Sequence, residues 1–78
     1  MNEKLLERIS IHPDVCHGKP AIRDTRMMVE SILEYIAAGD TIEDLLEEFT
    51  YLEREDILAS VAYAAKMMHY KNSIIPVE

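Results

Sequence analysis

Two groups of residues have the types and spacing to do chemistry. The first is His12, Cys16 and His17, a His-x3-Cys-His set in a short span. Imidazole and thiolate are zinc ligands. A thiol beside a histidine is also the start of a nucleophile–base pair. Neither reading is completed by the rest of the chain. A fourth ligand would have to come from His69, Asp14 or another chain, and no standard zinc spacing is matched. No donor set for an oxyanion and no pocket-forming pattern accompany the cysteine. The residues therefore point to no metal, no cofactor and no enzyme. The bland alternative is a polar loop with a partly buried cysteine.

The second group is Lys19, Arg23 and Arg26, in "HGKPAIRDTR" at 17–26. Guanidinium and ammonium groups bind phosphate oxygens and carboxylates alike. As a site, this segment would hold a phosphate backbone or an acidic patch of a partner. As a scaffold, it would pair with acidic helices of its own chain. Both readings stay open at this level.

The elements that must position these groups follow from pattern. The chain has 78 residues, the size of one domain. A chain so short buries only about 60% of its unfolded surface, so it gains from a partner or a second copy. Leu5 and Leu6 mark a short helix over 3–8 after Asn2. Ile9 to His12 alternates as a strand, and Ala21 to Arg23 reads as a second, with turns at Gly18–Pro20 and Asp24–Thr25. Val29, Ile32, Leu33, Ile36 and Ala37 form one face of a helix over 28–38, with Gly39 as its left-handed stop. Thr41 opens the next helix, with Asp44 completing a capping box and Ile42, Leu45, Leu46 and Phe49 as its apolar face. A third long helix over 53–70 carries Ile57, Val61, Ala64 and Met68, widened by Leu58 and Ala65. Residues 72–78 form a tail with Ile74, Ile75 and Val77. The expected organisation is a single domain, 1–78, with a short helix, strands and basic loop over 1–26, a three-helix bundle over 27–71 and the tail. Its class is mainly α, and its last two helices have the lengths of a helix-turn-helix.

Charge sharpens the choice of partner. Net charge is −7. Residues 1–26 carry five cations against four anions, whereas residues 27–78 carry three against eleven. The acidic part repels phosphate and favours a basic protein. If DNA is bound, the contacts expected on the long helix come from Arg54, Ser60, Tyr63 and Lys66, with the 17–26 segment adding attraction. Glu53, Glu55 and Asp56 crowd the end of that helix that would meet base edges. A single cysteine fits a reducing cytoplasm, and neither a signal peptide nor a membrane span is read.

The ordered series Gly18, Lys19, Pro20, Ile22, Thr25, Arg26, Gly39, Thr41, Asp44, Leu45, Leu46, Leu52, Glu55, Asp56, Ile57, Ala62, Tyr63 and Ala64 resembles the small bacterial domains known as domain of unknown function four-three-three. The resemblance spans roughly 9–66. It implies a homeodomain-like three-helix fold and a place as antitoxin akin to the VapB type, opposite a PIN-like ribonuclease toxin, with dimers that bind operator DNA. Asp24 stands where that pattern has Gly, and Glu53 where a helix-capping Ser or Thr stands. Asp24 tolerates the left-handed conformation, and Thr50, three residues before Glu53, offers a replacement cap. The reading from sequence is a cytoplasmic antitoxin-like module, with a DNA-binding regulator lacking a toxin, or an interaction module of other partner, as alternatives. A homodimer is expected from the small core and from the strand at Ile9–His12, whose open edge invites pairing.

Overall fold

A computed structural model describes residues 3–71 of the chain. The expectations for Asn2 and for the tail at 72–78 lie outside these residues. In order come α1 (Glu3–Leu6), β1 (Ile9–Ser10), a single left-handed turn (Cys16–Gly18), β2 (Ala21–Ile22), α2 (Val29–Ala37), α3 (Ile42–Glu48) and α4 (Arg54–Lys71). The described chain is thus mainly helical, with a two-stranded antiparallel hairpin.

The hairpin pairs Ile9 with Ile22 and Ser10 with Ala21. This removes one motive for a dimer, because β1 satisfies one of its edges within its own chain. After β2 the backbone turns sharply: the Thr25 N–H donates to the Ile22 carbonyl at 3.0 Å, and Asp24 sits at φ 65°. That turn needs a residue able to adopt positive φ at its third position, which Asp can do. Thr25 braces it, its hydroxyl donating to the Ile22 carbonyl at 2.8 Å and accepting the Met27 N–H at 3.0 Å. Met28 returns to bridge Ala21, so β2 is flanked on both sides.

α2 ends as its sequence requires. Gly39 takes φ 110°, its N–H donates to the Ile36 carbonyl, and the Asp40 N–H donates to that of Tyr35, both at 3.0 Å. This is the paired closure of a left-handed helix stop. α3 opens on a complete capping box: the Asp44 N–H donates to Thr41 Oγ1 at 3.1 Å, and the Thr41 N–H to Asp44 Oδ2 at 2.9 Å. The Thr41 N–H, and after it the Thr41 side chain, hold the Asp44 carboxyl below its ordinary value.

The core is Ile22, Met27, Ile32, Leu45, Leu52 and Ile57, with Ile9, Ile36, Ile42, Leu46 and Phe49 packed against it. Strand, loop and all of the last three helices contribute. Ala37 departs from the expected α2 face and is exposed.

α4 departs more. Its inward face is Asp56, Ile57, Ala59 and Ser60, all buried, continued by half-buried Tyr63, Ala64 and Met67. Leu58, Val61 and Met68, expected in the core, are 38%, 46% and 68% exposed, and Ala65 is exposed. The rotation has a physical cause. Glu53 is the N-cap, and its N–H donates to Asp56 Oδ2 at 2.8 Å. Thr50 is not the cap, because the helix starts at Arg54 and leaves Thr50 one turn too early. Asp56 Oδ1 meanwhile accepts Arg8 at 2.9 Å, and Glu53 Oε1 accepts the same guanidinium nitrogen at 2.8 Å. Asp56 therefore has to face the hairpin, and Leu58, 200° further round the helix, has to face away.

The capping box yields a pH test. Asp44 has a lowered folded-state pKa, so its stabilisation is complete above the unfolded aspartate value and is lost as pH falls through the folded one. Thr41→Ala should lower stability at pH 7 by about 1 kcal/mol, a fall in Tm of roughly 4–8 °C. The gap in Tm between the native chain and Asp44→Ala, read by circular dichroism, should be constant near neutrality and close on acidification below the ordinary aspartate value of 3.8. A gap of unchanged size in strong acid would contradict this origin.

Candidate functional site

The hairpin and the turn after it bring together Arg23 and Arg26, two of the charged side chains singled out from sequence. Ser10, His12, Val15, Arg23, Asp24, Thr25 and Arg26 line an open hollow of about 320 Å³. Arg23 and Asp24 border a neighbouring hollow of about 370 Å³ that also takes in Arg8, Tyr51, Glu53 and Asp56. Arg23 and Arg26 are exposed, and no carboxylate lies within ion-pair distance of either among the described residues. These two arginines are the free cations of the segment.

Lys19 has a different place. Its Nζ lies 3.2 Å from Glu30 Oε1, both half-exposed, tying the loop to the first turn of α2. An exposed pair of this kind contributes on the order of 0.5 kcal/mol. The segment 17–26 is thus divided, with Lys19 engaged as scaffold and Arg23 and Arg26 held out to solvent.

The histidine–cysteine set does not assemble. Cys16, His17 and Gly18 all take left-handed φ, at 53°, 57° and 80°. The thiol of Cys16 donates to the Arg26 carbonyl at 3.4 Å, so it pins the loop against the turn that follows β2. Among the described residues no three His, Cys, Asp or Glu side chains are placed to hold a metal ion.

The candidates on α4 are scattered. Arg54 leans on α3, its guanidinium 3.4 Å from Glu43 Oε2. Tyr63 and Lys66 are half-buried. Ser60 is corrected outright: it is fully buried, and its hydroxyl donates to the Asp56 carbonyl at 3.1 Å, one turn back along the same helix. A side chain held there contacts no base edge.

Two features escaped the sequence reading. Arg8, read as the end of the first helix, is the cation that joins the hairpin to α4. Hydrogen bonds to Glu53 and then Asp56 raise its pKa above the ordinary arginine value. The signal for it was Glu53-x-x-Asp56, which has the spacing of an N-cap and its N3 partner. The second is an acidic hollow of about 520 Å³ lined by Asp40, Asp44, Glu47 and Glu48, at the end of α2 and along α3. None of the four has a cation within ion-pair distance among the described residues. No helix of the described chain is long and apolar enough to cross a membrane.

Three comparisons bear on this arrangement. The profile of a family described as "Protein of unknown function (DUF433)" matches residues 9–64. The uncharacterized protein y4eO of Sinorhizobium fredii (strain NBRC 101917 / NGR234) is 34% identical over 58 residues, which are 74% of this chain and 26% of that protein. The crystal structure of a DUF433 member protein from Anabaena variabilis ATCC 29413, at 2.00 Å resolution, superposes with a TM-score of 0.74 at 33% identity, covering 82% of this chain and 63% of that one. The chain spans about a quarter of the curated relative and less than two thirds of the solved one.

The division of the basic segment gives a direct expectation. Because neither side chain has a carboxylate partner among the described residues, Arg23→Ala and Arg26→Ala should each change stability by less than about 0.5 kcal/mol. Thermal melts of the two variants should overlay the native curve. A clear fall in Tm for either would assign that arginine to the scaffold.

Proposed function

The chain belongs to the DUF433 family, and from that premise we propose that it acts without catalysis, as the antitoxin of a toxin–antitoxin pair that engages a basic, PIN-like ribonuclease. The observation that carries this reading is the acidic hollow of Asp40, Asp44, Glu47 and Glu48. Four carboxylates around one open surface repel one another unless cations approach from outside. A basic protein supplies such cations, and pairing at the rim speeds encounter and excludes wrong partners. A ribonuclease needs a positive surface to hold its own phosphate substrate, so covering that surface would block it.

We infer also that α2 to α4 correspond to the three helices of a homeodomain-like unit, with α3 and α4 as its helix-turn-helix. Operator binding by a dimer, or a regulator role without a toxin, would then draw its attraction from Arg23 and Arg26, the two arginines of the 17–26 segment, which have no ion pair among the described residues. Three observations weigh against α4 as a reading helix: Ser60 is buried, Arg54 is engaged by Glu43, and Glu55 and Asp56 occupy the first turn. The protein-binding reading therefore takes precedence, and with it a place in the cytoplasm beside the toxin.

Co-expression with the protein encoded beside it should yield a complex on co-purification. The double charge reversal Glu47→Lys with Glu48→Lys should weaken that complex at least tenfold with an unchanged melt, as expected when several rim charges act together. Arg23→Ala should leave it intact. A neighbour that is no nuclease, or a complex indifferent to the reversal, would overturn the reading.

A further inference from the structure

The turn between β2 and α2 fixes a cationic spot on a backbone that is tied at three points. The Arg23 N–H donates to the Arg8 carbonyl at 2.7 Å, and the Ile22 N–H to that of Met27 at 2.8 Å. The Cys16 thiol donates to the Arg26 carbonyl at 3.4 Å. On this base Arg23, Arg26 and His12 are exposed, and all three line one hollow of about 320 Å³. That volume lies at the lower end of the range for small-molecule sites, about 300–1,000 Å³. With the backbone already held, binding costs little beyond the freedom of the side chains themselves.

The charged groups around the hollow select the ligand. Neither guanidinium has an ion pair among the described residues. Asp24, at φ 65°, lines the same hollow without pairing with either arginine. Two guanidinium forks match a phosphate monoester, which carries roughly −1.5 to −2 charge at neutral pH. A ring N–H of His12 adds a donor on the same wall. The Asp24 carboxylate offers acceptors only, so the remainder of the ligand has to bring hydroxyl or amino donors. A nucleic-acid backbone fits less well, because it asks for cations along a track. Here the track is two arginines long. In the adjoining hollow Arg8 is outweighed by Glu53 and Asp56, both bound to it, and Lys19 is engaged by Glu30.

We propose that this hollow binds a small phosphate monoester that carries hydroxyl groups, a sugar phosphate or a mononucleotide. Arg23 and Arg26 hold the phosphate, and Asp24 accepts from a hydroxyl. The site stands apart from the antitoxin reading, which rests on the carboxylates around α3. It also departs from the operator reading, which gives the same two arginines to a phosphodiester backbone.

Adenosine monophosphate is the probe, followed through the amide chemical shifts of the full chain. It should bind saturably with a Kd below about 1 mM and move the amides of the 22–27 turn, which adenosine at equal concentration leaves in place. Arg23→Ala and Arg26→Ala should each weaken binding about tenfold or more, with melts that overlay the native one. Arg23→Lys and Arg26→Lys keep the charge but lose the fork, and should also bind more weakly than the native chain. Lys19→Ala should bind as the native chain does. Asp24→Asn, which still tolerates left-handed φ, should tighten inorganic phosphate and narrow the preference for the nucleotide over it. An adenosine response equal to that of the monophosphate overturns the proposal. So do arginine variants that bind natively, a loss in Lys19→Ala as large as theirs, or a DNA duplex that binds more tightly at equal phosphate concentration.

Discussion

The carboxylate of Asp56 is the point on which the rest of the structure turns. One oxygen closes the start of α4 by accepting the Glu53 N–H. The other accepts Arg8, from the residue just before β1. Its side chain is 8% exposed, so neither contact is replaced cheaply by water. A buried acid is tolerated only when cation and hydrogen bonds satisfy it. Here one residue sets where the long helix begins, which way it is turned and how the hairpin is held on it. Ile57 and Ser60 point inward because Asp56 does, and the apolar stripe of Leu58, Val61, Ala65 and Met68 points outward for the same reason.

Much of this architecture could be read from the residues, and the parts that could not share a cause. The stop at Gly39, the box of Thr41 with Asp44 and the left-handed Asp24 are local devices, each decided within a few residues. They stand in the structure as the sequence requires. The helix spans follow too, to within a residue or two. The rotation of α4 does not follow, because its outer three quarters are rich in Ala, Val, Leu and Met on two sides. Hydrophobic period alone cannot choose between two apolar stripes. The choice is made by a buried acid and a buried hydroxyl, Asp56 and Ser60, which such a period counts as surface. Arg8 was hidden for the matching reason: its partners lie far along the chain, in a turn that looked capped by Thr50.

The candidate site was legible in type and less so in detail. The basic segment is both scaffold and free charge: Lys19 is spent on Glu30, while Arg23 and Arg26 flank an open hollow. Acidic character was evident as a total, but its concentration around Asp40, Asp44, Glu47 and Glu48 depends on the tight stop of α2 bringing Asp40 beside α3. The described surface is therefore segregated into arginines near the hairpin, carboxylates around α3 and an apolar stripe along α4.

Arg8 and Asp56 act together in holding the hairpin on α4. A double-mutant cycle on thermal unfolding tests it most directly, with Arg8→Ala, Asp56→Ala and the pair. The double variant should lose clearly less than the sum of the single losses, and Asp56→Ala should be the more damaging single change because it removes the helix cap as well. Strictly additive losses, or an Arg8→Ala melt that overlays the native one, would contradict it.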